Sequence, residues 1–162
     1  MNCGLNRSSI IRIYYSDNQH WTKPGENLTR FDVHNPPRIT FNWKFLAKFY
    51  TKSFILILVD PTLLQSKYVI SILFLNWIRY YSSSLEEKED ICSYREMNIL
   101  PDSNSQRIVL LYATNSSQMM LRAKTICNKP TWFSLDEYIG FAQLELIAST
   151  YFMMIYTDES DE

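Results

Sequence analysis

The chain has 162 residues, of which 46% are hydrophobic and 15% aromatic, and its net charge at pH 7 is −1. This length suits one domain with a substantial core, and a sequence pI of about 6.1 argues against a dedicated nucleic-acid binder. Only three glycines are present, which argues against an enzyme that cradles phosphates in a glycine-rich loop.

The cysteines and the first residues of the chain are used to predict the cellular compartment of the protein. Cys3, Cys92 and Cys127 are far apart and form neither a Cys-x-x-Cys pair nor a Cys/His cluster with zinc spacing. Residues 1–9 are polar and lack the apolar region of a signal peptide. We therefore predict no metal, no cofactor, reduced cysteines, and a location in the cytoplasm or nucleus.

The small net charge hides a division between the two halves of the chain. Residues 1–84 carry ten basic and four acidic residues, whereas residues 85–162 carry six basic and thirteen acidic ones. Such a division orients charged partners or favours head-to-tail self-association.

The first third of the chain has the pattern of two short strands. Residues 9–15 favour a strand, Pro24 and Gly25 form a turn signal, and residues 27–33 are expected to return as a second strand. A loop follows at Pro36 and Pro37, where regular structure is interrupted.

Residues 38–52 fit two periodicities. Apolar and polar residues alternate from Ile39 to Phe45, which is typical of a strand. Phenylalanines and lysines also recur every four residues, with Thr40 placed as an N-cap, which is typical of a helix. We favour the helix, because the alternation fails after Phe45.

The same segment holds the candidate partner-binding residues, because it interleaves cations with aromatic rings. They are Arg38, Phe41, Trp43, Lys44, Lys48 and Lys52. The commonest explanation of this pattern is an amphipathic element with solvated lysines. A protein-binding face anchored by Trp43 and a single-stranded nucleic-acid site are the functional alternatives, and the sequence leaves Trp43 open between core and surface.

The centre of the chain predicts a buried strand followed by a helix. Residues 54–59 are an unbroken apolar run, and Asp60 with Pro61 then resembles an N-cap and first helical residue. A helix is expected over residues 62–81. Gln65, Ser66 and Lys67 interrupt the apolar run, so no membrane span is predicted.

The second half alternates capping signals with apolar runs. Ser84 and Glu87 form a capping box, which predicts a short helix up to about Met97. Residues 107–112 predict a buried strand and residues 119–125 a short helix. A second capping box at Ser134 predicts a helix over residues 135–148, and a final strand is expected over residues 150–156.

These elements predict one α/β domain over residues 1–157, with α+β as the alternative class. The domain is expected to hold a small mixed sheet with central buried strands at residues 54–59 and 107–112. Helices at residues 62–81 and 135–148 are expected to pack on this sheet, and residues 158–162 are expected to form an acidic tail.

No catalytic motif is marked. His20 and His34 have no nucleophile signature near them, and Asp60 lacks the glycine-rich loop that a nucleotide-bound magnesium site needs. The carboxylates from Glu86 to Asp90 are most simply the solvated start of a helix.

The leading functional hypothesis is a non-catalytic intracellular interaction protein. It would be a subunit or adaptor of a heteromeric complex, or a viral accessory protein that acts on a host factor. Its partner would be another protein, with self-association as a further option. The alternative is a nucleic-acid-binding subunit that uses residues 38–52, and the third hypothesis is an unmarked cysteine-dependent enzyme.

Overall fold

The computed structural model describes residues 10–15, 20–61, 72–97, 104–115, 126–128 and 133–157. Strands are far more extensive than helices in these ranges. They are β1 (Ile11–Tyr14), β2 (Asn27–Leu28), β3 (Arg38–Phe41), α1 (Trp43–Leu46), a 3-10 turn (Ala47–Phe49), β4 (Ser53–Asp60), β5 (Ile72–Tyr81), β6 (Lys88–Cys92), β7 (Asn104–Thr114), β8 (Phe133–Ser134), α2 (Leu135–Ala142) and β9 (Glu145–Ile155).

A mixed seven-stranded sheet organises the described residues. Its order is β2-β9-β7-β4-β5-β6, with β8 paired to β5 off this path, and β1 and β3 form a separate two-stranded ribbon. The β2–β9 pair is parallel, and the long central pairs are antiparallel. The predicted mixed sheet of a single domain is confirmed.

The two predicted buried strands, residues 54–59 and 107–112, are confirmed as the centre of this sheet. They lie within β4 and β7, which are adjacent and pair from Ser53 opposite Thr114 to Val59 opposite Ile108. Every residue of β4 from Phe54 onward is buried, because apolar side chains on both faces of the strand are covered.

The two faces of β4 contribute to two cores. Leu56 and Leu58 pack in the core that also contains Ile11 and Ile13 of the ribbon. Ile55, Ile57 and Val59 pack in the core that contains Tyr138 and Ala142 of α2. An apolar run without alternation is what a strand covered on both faces requires.

The predicted helix at residues 62–81 is wrong over its second half. Residues 72–81 form β5, which pairs with β4 on one side and β6 on the other. Residues 62–71 lie outside the described residues, as does the predicted helix at residues 119–125. A short apolar run does not by itself distinguish a buried helix from a buried strand, and the long-range pairing decides here.

The predicted helix from Ser84 to Met97 is also wrong. Residues 82–87 make the turn of the β5–β6 hairpin, with Ser82 N–H donating to the Glu87 carbonyl at 2.9 Å. Leu85 has a positive φ of 61° there, and β6 occupies the residues expected to be helical.

The second capping box is confirmed at its start. Ser134 Oγ accepts from Glu137 N–H at the N-terminus of α2. The helix ends at Ala142 instead of residue 148, because Gln143 adopts a left-handed conformation with φ 50° and the chain then enters β9. The final strand therefore begins at Glu145, five residues before the predicted start at residue 150.

Residues 38–52 contain both of the structures that their pattern allowed. The alternating part forms β3, and the i, i+4 part forms α1 and the 3-10 turn. The N-cap is Asn42, whose side chain accepts from Phe45 N–H, instead of the predicted Thr40. Among the earlier strands, β1 is shorter than the described part of residues 9–15, with residue 9 outside the described ranges. Of residues 27–33, β2 is the part that forms a strand.

Candidate functional site

A buried ion pair lies where β4 ends. Asp60 is the last residue of β4, and its Oδ2 is 3.0 Å from Arg107 Nη1 on the neighbouring strand β7. Both side chains are only 2% exposed. Burial lowers the pKa of Arg107, and the Asp60 carboxylate opposes that shift. Asp60 is thus a charge partner of Arg107, and the start of the helix that it was predicted to cap lies in residues outside the described ranges.

Polar groups of β7 itself help to hold the guanidinium. Arg107 Nη1 donates to Ser105 Oγ and to the backbone carbonyl of Gln106. A buried ion pair is strongly disfavoured unless further hydrogen bonds satisfy its atoms. These contacts fix the position of the positive charge inside the core.

Two phenols, Tyr15 and Tyr94, lie close enough to Arg107 for its charge to affect their pKa values. Tyr94 O–H donates to the Val33 carbonyl at 2.7 Å, which leaves Tyr15 to donate to Tyr94 Oη at 3.2 Å. Burial raises the pKa of Tyr94 to about 12, with Arg107 opposing the shift. Burial and Tyr94 likewise raise the pKa of Tyr15. Both phenols therefore stay protonated at neutral pH and act as neutral hydrogen-bonding groups.

Asn76 adds a buried acceptor near the same end of β4. The register between β4 and β5 shifts after Leu58, which leaves Asn76 as the extra residue of a β-bulge. Asn76 is 2% exposed, and its Oδ1 has no hydrogen-bond partner within the part of the chain that the structure describes. A buried polar atom without a partner costs about 1–3 kcal/mol, so a donor supplied from outside would be favourable.

We call these five residues the Asp60 cluster: the ion pair Asp60 and Arg107, the phenols Tyr15 and Tyr94, whose pKa values Arg107 affects, and Asn76, which the strand register places opposite the end of β4. It combines a cation, an anion, a neutral acceptor and two hydroxyls in a region of low dielectric, where such interactions are strong. This combination suits recognition of a small group that carries charges of both signs.

The cluster was not predicted as a site, although part of its signal was present. Asp60 closes one apolar run and Arg107 opens another, so antiparallel pairing of the two strands would bring the opposite charges together. Tyr15, Asn76 and Tyr94 carry no such mark, because only the fold brings their segments together.

The predicted partner-binding residues divide between different environments. Arg38 is exposed, with its guanidinium 4.1 Å from the centre of the Tyr14 ring. Phe41 is half-buried and packs edge-on against Tyr81. The candidate set therefore does not form one uniform basic face.

The remaining predicted residues belong to α1 and the turns after it. Trp43 is 58% exposed, which settles its position as surface. Lys44 is exposed, and Lys48 Nζ lies 3.8 Å from the centre of the Phe45 ring. Lys52 pairs with Glu145 at 2.8 Å, so its charge is already neutralised within the fold.

The cysteine and histidine predictions receive different outcomes. Cys92 and Cys127 form a disulfide with a Cα–Cα distance of 5.3 Å, so the expectation of reduced cysteines is wrong for this pair. His34 lies at the surface beside Glu96, at 3.3 Å. The described residues contain no group of three His, Cys, Asp or Glu side chains arranged to hold a metal ion.

The architecture is that of the phosphatidylethanolamine-binding protein fold. In sequence, no family model matches the chain, and none of the curated proteins compared with it is detectably similar.

The fold assignment comes from solved structures. Carboxypeptidase Y inhibitor, complexed with its cognate proteinase, matches with a TM-score of 0.61 and 15% identity over 93% of this chain and 84% of that one. The phosphatidylethanolamine-binding protein of Plasmodium falciparum matches with a TM-score of 0.62 and 11% identity over 90% and 84%. That of Plasmodium vivax matches with 0.59 and 11% over 91% and 85%.

These neighbours overturn the functional hypotheses drawn from the sequence. These three proteins are named for phosphatidylethanolamine binding and for inhibition of carboxypeptidase Y, so the predictions of a complex subunit or adaptor, a viral accessory protein and a nucleic-acid-binding subunit are wrong. The cysteine-dependent enzyme is wrong for Cys92 and Cys127, which are joined to each other.

The partner prediction holds in its general form. The inhibitor was solved together with a proteinase, so a protein of this fold does engage another protein. Within the described residues, no helix is long and apolar enough to cross a bilayer.

Proposed function

We propose that this protein is a binding protein that accommodates a small head group carrying both a phosphate and an amine at the Asp60 cluster. The observation that carries the proposal is the buried pair of opposite charges, Asp60 and Arg107. A buried acceptor, Asn76 Oδ1, has no partner among the described residues and belongs to the part of β5 opposite the end of β4. The names of the fold neighbours, phosphatidylethanolamine-binding proteins, support the same ligand class.

The chemistry of the two ligand groups matches the cluster. A guanidinium carries five N–H donors, so Arg107 can remain paired with Asp60 and still donate to a phosphate oxygen. A primary ammonium carries three donors and no acceptor. It can therefore donate to the Asp60 carboxylate and to Asn76 Oδ1, which would remove the cost of an unsatisfied buried oxygen.

Calorimetric titration tests the proposal with O-phosphorylethanolamine, phosphorylcholine and inorganic phosphate as separate probes. We expect phosphorylethanolamine to bind most tightly, because the quaternary ammonium of phosphorylcholine has no N–H to donate. Asn76→Ala should weaken phosphorylethanolamine binding by about tenfold, the value of one hydrogen bond to a charged group. It should leave binding of inorganic phosphate unchanged.

A matched control separates ligand contact from general loss of stability. Thr114 is a buried polar residue that donates to the Ala142 carbonyl at 3.2 Å, and it lies at the other end of the β4–β7 pair. Thr114→Val should lower stability without changing affinity for the probes. The proposal fails if no probe binds, or if Thr114→Val and Asn76→Ala weaken binding equally.

Two predictions from the sequence continue as proposals. We propose that the protein is not an enzyme; the two protonated phenols and the paired charges of the cluster fit binding better than proton transfer. We also propose a cytoplasmic or nuclear location. Disulfides are rare in those compartments, so the Cys92–Cys127 pair would either persist there or be reduced. The thiol state of the protein in cells tests that location.

A further inference from the structure

A second surface feature lies apart from the Asp60 cluster. A groove with a volume of about 550 Å³ is bounded by the ribbon and residues 31–39 on one side and by β5 and β6 on the other. We call it the Arg38 groove, and its principal side chains are Tyr14, Phe31, Arg38, Arg79, Tyr81 and Lys88. Its volume is within the range of pockets that bind ligands, about 300–1,000 Å³.

Three cations, Arg38, Arg79 and Lys88, line this groove. The sheet holds Arg79 rigidly. Arg79 Nε is 2.6 Å from Asp90 Oδ1, and its guanidinium also lies over the Trp77 ring. Trp77 Nε1 donates to the same Asp90 oxygen at 3.0 Å. The third cation, Lys88, is exposed and has no ion-pair partner in the described ranges.

The acidic residue of the groove is already engaged. Asp32 Oδ2 accepts from Thr29 N–H at 2.7 Å and from Thr29 Oγ1 at 2.9 Å. Its carboxylate therefore shapes the loop instead of pairing with the groove cations. The groove consequently presents more positive than negative charge to a ligand.

Aromatic rings line the same groove as the cations. Arg38 stacks over Tyr14 at 4.1 Å, an arrangement in which a guanidinium keeps its edge donors directed away from the ring. Phe31 is 65% exposed, so its ring is accessible to an apolar group of a partner. Basic side chains beside an exposed aromatic ring match a partner that has carboxylates next to an apolar side chain.

We propose that the Arg38 groove binds an acidic peptide segment of a partner protein, with its carboxylates at Arg38 and Lys88 and an apolar side chain against Phe31. Asp32 and Asp90 keep their negative charges beside the cations. An evenly charged phosphate backbone would bring phosphates against these carboxylates, whereas a peptide can place uncharged residues there. An interrupted pattern of charges suits a peptide better. The proposal does not depend on ligand binding at the Asp60 cluster.

The test uses fluorescence anisotropy with a labelled hexapeptide, Phe-Asp-Glu-Phe-Asp-Glu, at low ionic strength. We expect saturable binding that weakens with salt, and no binding of the peptide in which lysine replaces each acid. Arg38→Gln and Lys88→Gln should each weaken binding about twofold to fivefold, the range for a partly exposed charge pair. Phe31→Ala should weaken it about fivefold or more, as expected for an apolar anchor.

Lys44→Gln is the matched control, because Lys44 is an exposed lysine on α1 that does not line the groove. It removes the same charge and should leave affinity unchanged. Absence of saturable binding, or an equal loss with Lys44→Gln, would overturn the proposal. Single-stranded DNA that binds as tightly as the acidic peptide would overturn it in favour of a polyanion site. Sedimentation velocity that shows self-association abolished by Arg38→Gln would assign the groove to a second copy of the chain.

Discussion

Asp60 lies beside Arg107 because β4 and β7 run antiparallel with Val59 opposite Ile108. The next residue of β4 therefore meets the preceding residue of β7. The two charges face the core that the ribbon covers, since Leu56 and Leu58 of β4 and Val109 and Leu111 of β7 pack on that same side. The register of two apolar strands thus creates a charged centre in an otherwise apolar layer.

This geometry predicts that Asp60→Ala is strongly destabilising. The change would leave the Arg107 charge buried without its carboxylate, which costs about 3–5 kcal/mol. Guanidinium-induced unfolding of the two proteins measures the loss. Glu96→Gln serves as a control, because Glu96 pairs with Arg30 at an exposed position, where solvent screens the pair and its loss changes stability little. Equal losses for the two variants would show that the buried pair adds no special stability.

Stability should fall at alkaline pH because of the buried phenols. Burial raises the pKa of Tyr94 and that of Tyr112 from 10.0 to about 12. Below about pH 9, both phenols are protonated in the folded and in the unfolded chain, so they add no pH dependence. Between about pH 10 and pH 12, the unfolded chain releases protons that the folded chain retains, and stability decreases as pH rises.

Unfolding midpoints at neutral pH and at about pH 11 check this dependence. Tyr94→Phe removes one of the titrating groups, so the difference between its two midpoints should be smaller than in the unchanged protein. The comparison within each protein cancels the separate cost of losing the hydrogen bond from Tyr94 to Val33. A decrease of the same size in both proteins would contradict the assignment to Tyr94.

The disulfide predicts a defined thiol count. Under denaturing, non-reducing conditions, one thiol per chain, that of Cys3, should react with an alkylating reagent, and all three should react after reduction. Cys92 and Cys127 are 35 residues apart, and a closed loop of that size stabilises by about 3–4 kcal/mol in the chain-entropy model. Cys127→Ser should therefore lower the unfolding midpoint, whereas Cys3→Ser should not. Three reactive thiols without reductant would show that the pair is reduced.

The strands that could be predicted are those whose surroundings are uniform. β4 and β7 are apolar on both faces and are central in the sheet, so an unbroken apolar run was sufficient. β5 has a similar composition but was predicted to be helical, because its apolar run follows a plausible helix start at Asp60 and Pro61. Residues 72–81 form a strand because they pair with β4 on one side and β6 on the other. The periodicity of a single segment does not reveal such pairing.

The end of α2 and the candidate site also depend on contacts between distant segments, which a sequence does not reveal. Ser134 marks the start of α2 through a local hydrogen bond, and local chemistry is readable from sequence. The end at Ala142 depends on β9, which begins pairing with β7 at Glu145 opposite Ala113. The Asp60 cluster likewise draws on five segments of chain, and the β-bulge at Asn76 has no sequence signature.

The last prediction concerns two tryptophans in contrasting positions, Trp43 and Trp77. Trp43 is 58% exposed on α1, whereas Trp77 is completely buried in the core between the sheet and the ribbon. Trp77→Ala should cost about 3–5 kcal/mol, as removal of a large buried ring does. Trp43→Ala should change the free energy of unfolding by about 0.5 kcal/mol or less, as an exposed position implies. Denaturant midpoints compare the two variants directly.

Tryptophan emission gives a second measurement. Loss of the exposed Trp43 should shift the remaining emission to shorter wavelengths, and loss of the buried Trp77 should shift it to longer ones. A cost above about 1.5 kcal/mol for Trp43→Ala would contradict its surface position and would remove it from the set of residues available to a partner.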